Sequence, residues 1–109
     1  MTEFDPEKFE DKYQHYFPEL QRAYRQAFES MRDRYDSELI HAIDQQVLAE
    51  SEPFYEGDGR FRVELPADPE HRLSGVVVDE EKLGVVLDRY RVELETQLQS
   101  VFGLNEGHS

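Results

Sequence analysis

Four histidines and 25 acidic side chains are the groups in this 109-residue chain best able to move a proton or hold a cation, and there is no cysteine. The lack of cysteine excludes disulfide frameworks, thiolate zinc sites and cysteine nucleophiles. The sharpest candidate is His41 with Asp44. At i and i+3 they share one face of a helix, and Gln45 or His15 would join them in space only through the fold. Such a group suits proton transfer or a metal-dependent regulator. However, HExxH is absent and two ligands do not close a site, so a structural or surface role outweighs the catalytic one. No residue is assigned as catalytic, cofactor-binding or metal-ligating on this basis, and no cofactor is expected.

The other constellations are thinner. Glu52, Glu56 and Asp58 could approach a hard cation, but they lack the alternating oxygen ligands and distal glutamate of a calcium loop. There is no GxGxxG and no GxxxxGK[ST], and Gly57-Asp58-Gly59 has no following helix to hold a phosphate. No serine sits in a GxSxG context. Arg22, Arg25, Arg32 and Arg34 are balanced by Glu19, Glu29, Asp33 and Asp36, and Arg60 and Arg62 point outward from a strand. With Tyr24 and Tyr55 they could stack on RNA. A net charge of −13 opposes that reading, and pairs such as Arg25 with Glu29 explain the arginines without a ligand.

Charge speaks to environment. The chain has nine arginines and only three lysines, Lys8, Lys12 and Lys82. Its acids are spread along its length instead of forming a tail. In dilute buffer such an excess repels itself, whereas in ~1 M salt the screening length falls to ~3 Å and the carboxylates keep the surface hydrated. The composition predicts a salt-rich cytoplasm. No apolar run reaches the ~18 residues of a membrane span. The opening Met1-Thr2-Glu3-Phe4-Asp5 lacks a basic secretory start, so a cytoplasmic protein is expected.

The elements that would position these groups follow from local signals. Asp5 caps a first helix, Pro6 suits its first position, and Phe4 with Phe9 forms a hydrophobic staple. The stripe Phe9, Tyr13, Tyr16 and Phe17 continues it, and Pro18 ends or kinks it. Apolar residues then recur every three or four positions from Leu20 to Val47. They predict one very long helix over about 19–50, with Asp36-Ser37 the sole break signal. Residues 53–56 and 60–65 flank Gly57-Asp58-Gly59 as a hairpin, with Phe61, Val63 and Leu65 facing inward. Gly75-Val76-Val77-Val78 suits a third strand. Asp79 caps a last helix whose stripe is Leu83, Val86, Leu87, Tyr90, Leu94, Leu98 and Val101, and Gly103 terminates it.

The expected fold is therefore α+β: three helices and a small three-stranded antiparallel sheet in the order α-α-β-β-β-α. One domain spans 1–103, and 104–109 is a short flexible tail. Strings running through the chain, FDPEKFEDKY, HYFPEL, DRYDSEL, HAIDQQVL and SEPFYEGDG with FRVELP after it, resemble a haloarchaeal family of small acidic proteins catalogued as a domain of unknown function. The resemblance covers nearly all of residues 1–103. It implies a halophilic origin and carries over no catalytic residue, ligand or partner.

The functional reading is an unassigned, non-enzymatic interaction module. The stripes at 20–47 and 83–101 offer more apolar length than a three-stranded sheet covers. A homodimer or another protein partner is expected to take up the remainder. No membrane contact is expected, and nucleic acid is a minority reading.

Overall fold

The computed structural model describes residues 4–68, 73 and 78–104. Among the described residues five helices and one hairpin follow one another: α1 Pro6–Phe9, α2 Lys12–His15, α3 Phe17–Arg34, α4 Ser37–Gln46, a 3-10 turn Leu48–Glu50, β1 Glu52–Gly57, β2 Arg60–Glu64 and α5 Glu80–Val101. The class is α+β, as expected. Among the described residues the sheet has two strands where three were expected. The proposed third strand at 75–78 lies outside the described residues except for Val78, which packs half-buried on the core.

The entry to α1 is the one its residues dictate. The Asp5 carboxylate accepts from Glu7 N at 3.0 Å, Pro6 occupies the first turn, and the Phe4 and Phe9 rings meet with centroids 5.6 Å apart. The first helix is nevertheless two short pieces. The helix does break just before Pro18, at Tyr16, and Pro18 sits in the first turn of α3, where a missing N–H costs no hydrogen bond.

The long helix expected over 19–50 is two helices and a turn. Tyr35 adopts extended backbone, φ −132° and ψ 175°, and the Asp36 carboxylate accepts from Glu38 N at 3.0 Å to start α4 afresh. A cap of this kind stabilises a helix by about 1 kcal/mol, enough to decide between two otherwise similar paths. The break lets α4 fold back on α3 and bury Ile40 as well as Leu39, Ala42 and Ile43.

α3 and α5 form the main packing contact of the molecule. Leu20, Ala23, Ala27 and Met31 of α3 are buried, as are Leu83, Val86, Leu87, Tyr90, Leu94 and Leu98 of α5. The stripes expected to need another chain are thus largely covered by one another, by α4 and by the hairpin. The hairpin rests on α5 through β2. Its turn has three consecutive left-handed residues, Gly57, Asp58 and Gly59 at φ 96°, 54° and 73°, and the register slips between Tyr55 and Gly57. Phe61 and Val63 face inward as predicted, and Leu65 packs half-buried on the core.

Two bonds tie the hairpin to α5. Gln99 Nε2 donates to Gly59 O at 2.9 Å, and Val63 N donates to Glu95 Oε2 at 2.9 Å. Val63 stands opposite Pro53 in the register. Helix α5 ends in a Schellman turn: Leu104 N reaches Gln99 O at 2.7 Å and Gly103, at φ 72°, donates to Ser100 O at 3.1 Å. Its start departs from expectation, because Asp79 holds the cap position with no side-chain bond. At one end of the molecule Phe4, Phe9, Tyr16, Tyr55, Phe61 and Phe102 form one ring cluster, with centroids 4.8–6.2 Å apart. Tyr16 OH accepts from Asp5 N at 3.0 Å, so the cluster is pinned by a hydrogen bond as well as by packing.

Candidate binding groove

The break between α2 and α3 lies beside an apolar surface groove. Tyr16, at φ −127° and ψ 22°, interrupts the helix, and the residues expected to form one stripe divide. Phe9 and Tyr16 turn inward, while Tyr13 and Phe17 turn out, 58% and 46% exposed. These two rings border a groove of about 240 Å³ whose further lining includes Leu20, Tyr24, Leu48 and Pro53. None of its nine lining residues is charged, in a chain where 34% of residues are. Its inner wall is fixed by hydrogen bonds. Ser51 Oγ donates to Leu48 O at 2.7 Å, which leaves Ser51 Oγ to accept from Tyr24 OH at 2.9 Å. Burial raises the Tyr24 hydroxyl to about 12, so it keeps its proton and remains a donor.

A polar cleft of about 350 Å³ continues from the groove, sharing Gln21 and Tyr24 and adding Arg25, Phe28 and Asp44. Asp44 accepts a long bond, 3.4 Å, from Tyr90 OH. Burial raises its carboxyl above the ordinary value, opposed by the Tyr90 bond and by nearby His41. Burial and the Asp44 charge together push the Tyr90 hydroxyl up. His41 itself is exposed, 3.1 Å from Gln45 through Nε2 and edge-on to Phe28 at 5.7 Å. Of the expected group, the structure brings Gln45 to His41 and puts Asp44 in the cleft. It places His15 elsewhere, exposed on α2. Among the described residues no three His, Asp or Glu side chains gather as a metal set.

Several of the remaining sequence candidates are spent on partners. Glu52 pairs with Lys12 at 3.1 Å, Glu56 with Arg62 at 2.7 Å, and Asp58 forms the hairpin apex, so the three acids do not converge. Arg62 also pairs with Glu64 and lies over the Phe54 ring at 4.8 Å. Arg32 covers Phe28 at 5.4 Å, and Arg34 approaches Glu93 at 3.9 Å. Tyr55 accepts from Gly59 N and belongs to the ring cluster, so it is not a free stacking face.

Sequence reasoning missed Lys12. This residue is 5% exposed, and its ammonium lies 5.2–5.3 Å from the rings of Phe9, Tyr13 and Phe54. Three aromatics around a cation stabilise it without hydration. The signal was the lysine scarcity itself, since one of only three lysines stands next to Tyr13. Lys12 also holds Tyr13 at the groove's edge from beneath.

No described helix is long and apolar enough to cross a membrane. No curated protein and no solved structure matches the chain. Residues 1–105 match the family model DUF5783, and the chain belongs to that family of unknown function.

Proposed function

We propose that this protein is a non-enzymatic interaction module that receives an apolar segment of another polypeptide in the groove between α2–α3 and the 3-10 turn. One observation carries the reading: two half-exposed aromatic rings, Tyr13 and Phe17, stand beside an uncharged groove on a surface otherwise dominated by acids. Exposing such rings has no benefit for a lone domain, and aromatic residues beside a hollow are the usual anchors of protein interfaces. The groove is also built to stay open, because the Tyr24–Ser51–Leu48 bonds fix its wall. The polar cleft beside it supplies Arg25 and Asp44 as orienting groups at one end.

The setting that fits this module is the cytoplasm of a salt-loving cell. The net charge of −13 with only three lysines supports it, because molar salt screens the acid–acid repulsion. Apolar recognition is also the mode that survives there, since salt weakens charge steering and leaves apolar burial intact. The test is affinity capture from the native host in molar KCl, with the wild-type chain and with Tyr13→Ser/Phe17→Ser. The expected result is a polypeptide retained by the wild type and lost with the double variant. Equal retention by both would show that binding does not use the groove.

A further inference from the structure

We infer that a second hollow, between α1–α2 and β1, binds a small zwitterion, an amino acid or its N-methylated form. Its carboxylate would rest on Lys12 and its cationic nitrogen against Glu10 and Glu52. This site shares no lining residue with the groove and stands apart from the interaction reading.

The lysine carries the first observation. An ammonium has three N–H donors, and buried donors are ordinarily paired. Lys12 is 5% exposed, yet among the described residues a single oxygen accepts from it, Glu52 Oε2 at 3.1 Å. The rings of Phe9, Tyr13 and Phe54, 5.2–5.3 Å away, offset its charge but supply no oxygen. A buried cation with bonding capacity that its own chain leaves unused thus lines a hollow of about 390 Å³. That volume falls within the ~300–1,000 Å³ usual for small-ligand sites.

The rest of the lining gives the ligand its chemistry. Phe9, Phe54 and Tyr55 supply aromatic wall, and Glu10 and Glu52 supply the other charges. Glu10 is exposed and enters no ion pair among the described residues. Glu52 meets Lys12 through one oxygen, and its side chain is still 49% exposed. Two carboxylates beside one ammonium repel a simple anion, and a simple cation meets Lys12 already seated among the rings. A molecule bearing both charges satisfies each group. Its carboxylate accepts from Lys12, and its cation lies against carboxylates and ring faces. Being neutral overall, it also approaches a chain of net −13 without repulsion.

The test is a nuclear magnetic resonance titration of the full chain in ~2 M KCl, where long-range charge effects are screened. The probes are glycine and trimethylglycine, with acetate and tetramethylammonium as the separate halves. The expected result is saturable shifts at residues 9–12 and 52–55 with a zwitterion, half-complete within ~50 mM, a weak affinity suited to so small a ligand. Each half alone should bind at least about tenfold more weakly, the loss that follows when a charge-assisted bond is removed. Lys12→Met should abolish the shifts, and Glu10→Gln should weaken binding severalfold while Glu81→Gln leaves it unchanged. Circular dichroism melting confirms that each variant is folded at the titration temperature. Acetate binding as well as the zwitterions would make this a plain anion site, and tetramethylammonium doing so a plain cation site; either overturns the proposal. No saturable shift with either zwitterion, or shifts that survive Lys12→Met, overturns it as well and leaves Lys12 as a cross-tie between α2 and β1.

Discussion

Replacing Lys12 by methionine isolates what a buried cation contributes in a chain that has almost dispensed with lysine. The substitution keeps the length and much of the apolar stem of the side chain, so little packing is lost. It removes three ring contacts at 5.2–5.3 Å and the 3.1 Å bond to Glu52. Ring contacts contribute about 0.5–1 kcal/mol each, and an ion pair with a half-exposed partner up to about 1 kcal/mol. Gross loss is therefore about 2–4 kcal/mol. Relief from burying an ammonium that is 5% exposed offsets part of this, leaving a net cost of about 1–2 kcal/mol. For a domain of this size that lowers Tm by about 5–10 °C. The control is Lys82→Met, which changes net charge identically at an exposed position in the first turns of α5. Melting of both variants is followed by circular dichroism at several KCl concentrations in the molar range. Because the Lys12 contacts are buried, the gap between the variants should not shrink as salt rises. Equal melting temperatures for the two variants would refute the idea that the rings and Glu52 hold this cation.

Two further outcomes follow from charge. Burial raises the Asp44 carboxyl above its ordinary value, so in the folded chain its neutral form is favoured. Its contribution to stability is then fully present below the ordinary carboxyl value of about 4 and is lost as pH rises through the folded value. Asp44→Asn should therefore melt higher than wild type near neutral pH and converge with it in acid; a lower Tm at neutral pH would show that the Tyr90 bond outweighs burial. For the whole chain, Tm should fall as KCl is lowered from molar to ~0.1 M, because screening of the −13 charge is lost. A Tm flat across that range would remove the salt-adaptation reading.

Local signals were legible and interruptions were not. The Asp5 cap, the Phe4–Phe9 staple, the glycine turn at 57–59 and the Gly103 terminus each depend on residues within five positions, and each stands as read. The break at Tyr35 had one signal, Asp36-Ser37, which was outweighed because Tyr35 and Leu39 keep four-residue spacing across it, so the apolar period runs on while the backbone does not. Ile40 betrays the change: it is off the continuous stripe and yet fully buried. The same blindness concealed the groove. Tyr13 and Phe17 turn outward where the chain is irregular on both sides of α2, at Asp11 and at Tyr16. The groove's far wall comes from Leu48 to Pro53, more than twenty positions along the chain from Tyr24, a juxtaposition no periodicity encodes. The His41–Asp44 reading was half legible. Helical spacing put both on α4, but the ring rests on Phe28 while the carboxyl enters the cleft.

The bond from Val63 N to Glu95 has a meaning beyond holding the hairpin down. A short two-stranded ribbon is an open template, and an incoming strand from any unfolding neighbour would seek its outward donors. On β2 the donor at Val63 is already committed to a carboxylate from α5, and opposite it on β1 Pro53 has no donor to give. Ladder growth therefore stalls at the same rung from both sides. Wherever salt screens charge repulsion, a protein loses that colloidal protection, and at this rung of the hairpin the backbone itself offers an incoming strand no free donor.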